Sequence, residues 1–204
     1  MRFHFAGKYN GDESSLPQRE HPEGYVPFKE IEDMKKLATR LTIISFAILI
    51  PMLIIFYARL IAWDVKNDAA YMSFGFSDML EALALFLLTL IPHEVLHALW
   101  FKEDVNLYQN LKQGMLFVVG TEDIPKTRFI LMSLCPNIIF GFIPFLLYLI
   151  WPNLSVLGFL GVMAIAAGAG DYMNVLNCAR QVPSDGITYM SGMHSYWYRP
   201  SKEE

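Results

Sequence analysis

Charge is what this sequence has little of. Only 18% of its 204 residues are Asp, Glu, Lys or Arg, against about 25% in an ordinary soluble domain, while 54% are hydrophobic. That balance points to a membrane protein. The net charge of -4 gives no basic surplus, which removes nucleic acid from the expected partners. Two cysteines, Cys135 and Cys178, lie in or beside apolar segments, so no disulfide framework is expected and both read as buried thiols in a reducing setting. The first thirty residues hold Pro17, Pro22 and Pro27 but no apolar signal-peptide core, and the N-terminus is therefore expected to be mature and cytoplasmic. Internal repeats and low-complexity segments are absent as well.

What is present is a series of apolar runs. Residues 41–58 are uncharged between Arg40 and Arg59, long enough for a membrane-spanning helix, with Pro51 expected to kink it. Asp78 and Glu81 precede a second run and resemble a capping box at a helix start. Residues 129–170 carry no charge at all, and Trp151-Pro152-Asn153 divides them with turn chemistry into spans at about 129–151 and 154–176. Between the second and third spans, Met115 to Val119 reads as a short strand that could pair with Val105 to Leu111. The expected fold is thus an all-α integral membrane protein with about four transmembrane helices and a short cytoplasmic strand or hairpin. Its parts are a tail and juxtamembrane helix (1–36), a four-helix membrane domain (37–180) and a C-terminal tail (181–204). Of the 16 Lys and Arg residues, only Arg59 and Lys66 fall on the far side of such a bundle, which places both termini in the cytoplasm. The lipid bilayer is then the first partner.

The second run ends in His93-Glu94-Val95-Leu96-His97. Four residues apart on a helix, the two imidazoles project from one face and can reach one zinc ion, with Glu94 beside it to accept a proton from water. Ionisable groups inside an apolar helix are costly and are functional candidates by default; simple solvation at a helix end is the alternative. His93 lies 15 residues beyond Asp78 and Asp171 lies 16 beyond Ser155, about 22 and 24 Å along their helices. Both therefore approach the cytoplasmic edge of a hydrocarbon core roughly 30 Å thick. Ala164 and Gly168, and Ala166 and Gly170, are small-xxx-small pairs that favour close helix packing. Asp171 is the candidate third ligand, since two His and a carboxylate with an open position form a catalytic zinc set; pairing with Arg180 is the alternative. Asn137 and Asn174 are weaker candidates to hydrogen-bond a ligand or line the cavity. His4, His21 and His194, and the loop carboxylates Glu103, Asp104, Glu122 and Asp123, are expected to face water.

His93-Glu94-x-x-His97, Cys135-Pro136-Asn137 and Gly170-Asp171 resemble a bacterial membrane family of zincin peptidases over about residues 75 to 185. That family is distantly similar to site-2 intramembrane metalloproteases, which cut membrane-embedded substrates near the cytoplasmic face. The resemblance implies a zinc metallopeptidase acting on a membrane-associated protein or peptide, with zinc on His93, His97 and Asp171 and Glu94 as general base. The chain departs from the site-2 pattern at Tyr172, where that pattern has Gly, and in lacking its Asn-x-x-Pro lead-in. A non-catalytic zinc-binding scaffold or carrier is the other reading; the lack of repeat symmetry argues against transport.

Overall fold

The computed structural model describes residues 2–110 and 115–200. Among the described residues six α-helices are present: α1 (Met34–Lys66), α2 (Phe76–Ala98), α3 (Lys126–Asn137), α4 (Ile143–Ile150), α5 (Ser155–Ala167) and α6 (Ala169–Gln181). Seven strands accompany them: β1 (Phe3–Lys8), β2 (Val26–Pro27), β3 (Val105–Asn110), β4 (Met115–Val119), β5 (Ile124–Pro125), β6 (Ile187–Ser191) and β7 (His194–Tyr198). The expectation of an all-α protein is therefore wrong. Strands occupy segments expected to be tails because those segments find partners far along the chain. β1 pairs in parallel with β3, Phe3 opposite Val105, and β2 pairs with β7, Val26 opposite Trp197. The sheets have orders β1-β3-β4 and β2-β7-β6-β5. The hairpin read from the sequence is there, with Asn106 opposite Val119 and Asn110 opposite Met115.

The chain forms two compact units, the first comprising Met1–Ile31, Glu94–Cys135 and Tyr172–Glu204, the second Glu32–His93 and Pro136–Asp171. In the first, Phe28, Ala98, Phe101, Val105, Phe129, Met132, Cys178 and Val182 share one core. It gathers the last residue of α2, the second turn of α3 and the end of α6, so the carboxyl end of the His-Glu-x-x-His helix is set in apolar packing. Gly120 lies against the Phe101 ring, where a Cβ would come within 2.5 Å.

In the second unit, Phe56 and Leu60 of α1 pack with Phe145, Tyr148, Val162 and Ile165. The Tyr148 hydroxyl donates to the Phe56 carbonyl at 2.7 Å, which satisfies a phenol that is otherwise fully buried. Small residues do bring α4 and α5 together, at Gly158 and Gly161. A Cβ on Gly158 would lie 2.3 Å from the Tyr148 ring, and one on Gly161 2.7 Å from the Phe145 nitrogen. Gly170, by contrast, has open space where a Cβ would go.

Much of the apolar surface faces outward. Ile43, Phe46, Ile50, Ile54 and Ile61 of α1, and Leu87, Leu88 and Ile91 of α2, are each more than half exposed, far beyond the patches water tolerates on a soluble monomer. Three stretches are long and apolar enough to cross a membrane: Lys35–Lys66, Phe76–Ala98 and Lys126–Ile150. The expected fourth span is instead two helices, α5 and α6, bent by 49° at their junction. The Ala-Gly run at 166–170 explains the break, since glycine weakens a helix interior by about 1 kcal/mol relative to alanine.

Candidate metal centre

The cap of α2 sits three residues before the Asp78–Glu81 pair read from the sequence, at Gly75 and Asp78. The Asp78 carboxylate accepts the Gly75 N–H at 2.7 Å, the return arm of a capping box. Fifteen residues on, His93, Glu94 and His97 bring one ligand atom each to within 4.8 Å of one another. They form the one group of three or more His, Cys, Asp or Glu side chains so arranged among the described residues.

Each histidine is oriented. His97 is buried, and its Nδ1 lies 2.9 Å from the Met132 carbonyl oxygen. A carbonyl only accepts, so Nδ1 carries the proton and Nε2 of the neutral ring keeps its lone pair for a metal. The Met132 carbonyl is open to this contact because its regular helical partner would be residue 136, which is Pro136 and has no N–H.

Asp171 lies in the first turn of α6, where the helix dipole favours its negative charge. Its Oδ2 stands 3.2 Å from His93 Nε2 and accepts a hydrogen bond from Asn137 Nδ2 at 2.6 Å. Two acceptor atoms this close require an electropositive centre between them, either a proton or a metal ion. Zinc bonds of about 2.0–2.1 Å give a tetrahedral ligand–ligand edge of roughly 3.3 Å. The observed separation fits that edge, and the donors are the imidazole nitrogens and carboxylate oxygen that zinc takes. His93 and Asp171 thus fit neighbouring positions on one ion, while Asp171 lies outside the group formed by His93, Glu94 and His97.

The remaining candidates fall elsewhere. Asn137 is 1% exposed and leads directly into a five-residue π turn, Ile138–Phe142. Asn174 is exposed and has no side-chain hydrogen bond among the described residues. The outlying histidines are not simply solvated: His194 lies 3.2 Å from Glu13 and 3.4 Å from Glu30, and His21 Nδ1 is 2.9 Å from the Tyr189 hydroxyl.

Glu122 corrects the sequence reading most sharply. It is 6% exposed and accepts the Lys102 and Glu103 N–H groups, both at 2.6 Å. Arg128 donates to it at 2.8 Å and also to the Trp100 carbonyl. The pair clamps the chain just beyond α2. A carboxylate six residues before an arginine is the only sequence signal for it, and the pairing depends on a turn the sequence does not announce.

Residues 86–187 match the sequence profile of a family described as "Putative zincin peptidase". The chain belongs to that family. Its matched half holds His93, Glu94, His97, Asn137 and Asp171, together with the clamp formed by Glu122 and Arg128. The family description is that of a zinc metallopeptidase. No curated protein and no solved structure matches the chain.

Proposed function

We propose that this zincin family member is a membrane-embedded metallopeptidase that hydrolyses peptide bonds at the cytoplasmic side of the bilayer. The observation that carries the reading is the His93-Glu94-His97 cluster on an apolar helix, with Asp171 Oδ2 at 3.2 Å from His93. His93, His97 and Asp171 would hold zinc, and Asn137 would steady the carboxylate. When bound, zinc supplies Lewis acidity and lowers the pKa of water toward about 7.

The side chains supply the rest. Glu94 accepts a proton from the attacking water and passes it to the leaving amide nitrogen. His97, fixed by the Met132 carbonyl, and His93, facing Asp171, hold their rings in place so that the water and the scissile carbonyl meet in one orientation. A helical substrate hides its carbonyls in its own hydrogen bonds and must be unwound to be cut. β4 is the last strand of its sheet, and pairing with an extended segment along its open edge would present such a substrate. The excess of Lys and Arg on one side of the spans read from the sequence supports a cytoplasmic placement.

The test is cleavage of a fluorogenic peptide library by the purified, zinc-loaded protein in lipid nanodiscs. Glu94→Gln should retain zinc and lose hydrolysis, and a chelator should abolish cleavage by the wild type. Full activity in Glu94→Gln would overturn the mechanism. Stoichiometric zinc without any cleavage would favour the non-catalytic scaffold.

A further inference from the structure

α3 makes two contacts to candidate ligands around its Pro136-Asn137 step, one from the Met132 carbonyl to His97 and one from Asn137 to Asp171. Pro136 withholds the N–H that would normally bind the Met132 carbonyl, and that carbonyl takes His97 Nδ1 at 2.9 Å instead. Asn137, one residue on and almost fully buried, donates to Asp171 Oδ2 at 2.6 Å. The helix then widens into the π turn at Ile138–Phe142, a feature often found at functional sites.

We infer that Pro136 and Asn137 form a positioning element for the metal ligands, Pro136 by freeing the carbonyl that orients His97 and Asn137 by orienting the Asp171 carboxylate. The inference rests on the metal reading given above and assigns the step a purpose beyond helix geometry. A buried asparagine needs some hydrogen-bond partner and a proline some local kink, so packing alone would account for either residue. Packing does not account for both residues, adjacent in sequence, directing their contacts at candidate ligands on two different helices. Each contact also has the chemistry that ligand orientation demands. A carbonyl fixes the imidazole tautomer, and an amide N–H holds the carboxylate oxygen that faces His93 while occupying only one of its lone pairs.

Pro136→Ala makes the decisive variant because it separates fold from positioning. The new N–H restores a regular helical bond to Met132 O, so the helix is strengthened while His97 loses exclusive use of its acceptor. Zinc affinity is measured on the full-length protein in nanodiscs by competition with a chromophoric chelator. The visible spectrum of the cobalt(II)-loaded protein reports ligand geometry independently of activity. Pro136→Ala and Asn137→Ala should each weaken zinc about tenfold to a hundredfold, the usual effect of removing a partner of a metal ligand, and should change the cobalt bands. The melting temperature of Pro136→Ala should not fall. Wild-type affinity and spectrum in both variants would overturn the positioning element while leaving the metal centre standing. Failure of the wild type itself to bind zinc or cobalt stoichiometrically would instead remove the metal reading, and this inference with it.

Discussion

Removing the Glu122 carboxylate should destabilise the protein far more than any other loop charge. In Glu122→Ala, the Lys102 and Glu103 N–H groups lose their acceptor and Arg128, 19% exposed at its side chain, is left without its counter-charge. Hydrogen bonds to a charged group contribute about 1.5–3 kcal/mol each, but the three share one carboxylate and do not add. Breaking a buried ion pair by deleting one partner costs about 3–5 kcal/mol, and that figure is the expected loss. For a chain of this size each kcal/mol moves the melting temperature by about 2–4 °C, so a fall of roughly 6–20 °C follows. The control is Asp123→Ala, next in sequence, which pairs with Arg19 and accepts a hydrogen bond from the Tyr198 hydroxyl, each at 2.8 Å, but whose side chain is 44% exposed. An exposed pair is worth about 0–1 kcal/mol, which corresponds to a shift of no more than about 4 °C. Differential scanning fluorimetry on the detergent-solubilised protein, using intrinsic tryptophan emission, reads both. If Glu122→Ala and Asp123→Ala shift the transition equally, the clamp on the turn after α2 does not hold that turn, and the reasoning fails.

Gly161→Ala should destabilise the α4–α5 contact by about 1–3 kcal/mol, because the new Cβ meets backbone atoms of Phe145 and Gly141 that cannot rotate away; a thermal melt indistinguishable from wild type would contradict it. Burial pushes the Glu30 carboxyl above its ordinary value of 4.5, with hydrogen bonds from Ser195 and His194 opposing the shift. A raised folded-state value means that the stability Glu30 contributes is fully present below pH 4.5 and is lost as the pH rises through the raised value. Melting curves of wild type and Glu30→Gln should therefore show the wild type's relative advantage shrinking from pH 4 upward, and a gap that widens instead would reverse the sign. Ile54→Lys, at an exposed apolar position in α1, should impair membrane insertion by roughly 2.5–3.5 kcal/mol, seen as protein lost from the membrane fraction; unchanged fractionation would argue against α1 crossing the bilayer there.

The centre of the site was legible because its information is local. His93 and His97 share a helical face through spacing alone, and an apolar run made the helix clear. The β3–β4 hairpin was legible for the same reason, its two strands being adjacent in the chain. Asn137 stood out as a polar residue in an uncharged stretch, but its bond to Asp171 crosses 34 residues and no spacing rule predicts it. β1, β2 and β5 were missed because their partners lie far along the chain, whereas the adjacent β6–β7 hairpin carried a local signal in its aromatic residues and Gly192 that the reading of a polar tail passed over. The break between α5 and α6 had a signal in Gly168 and Gly170, but the run's hydropathy reads continuously across it. Glu122 was misjudged because a carboxylate in a polar loop is normally solvated, and only the fold supplies the three donors that repay its burial.

The parallel pairing of β1 with β3 has a consequence for how the chain is made. Phe3 meets Val105, so β1 leaves the ribosome with no partner until about a hundred further residues have followed, including α1 and α2. At about 5–20 residues per second that is an interval of roughly 5–20 s, during which a strand bearing Phe3 and Phe5 has an unsatisfied backbone. β2 waits longer still, since Trp197 lies 171 residues beyond Val26. Both sheets thus close only after the helices between their strands have been made, and β1 and β2 reach their final hydrogen bonds well after the helices that follow them in the chain.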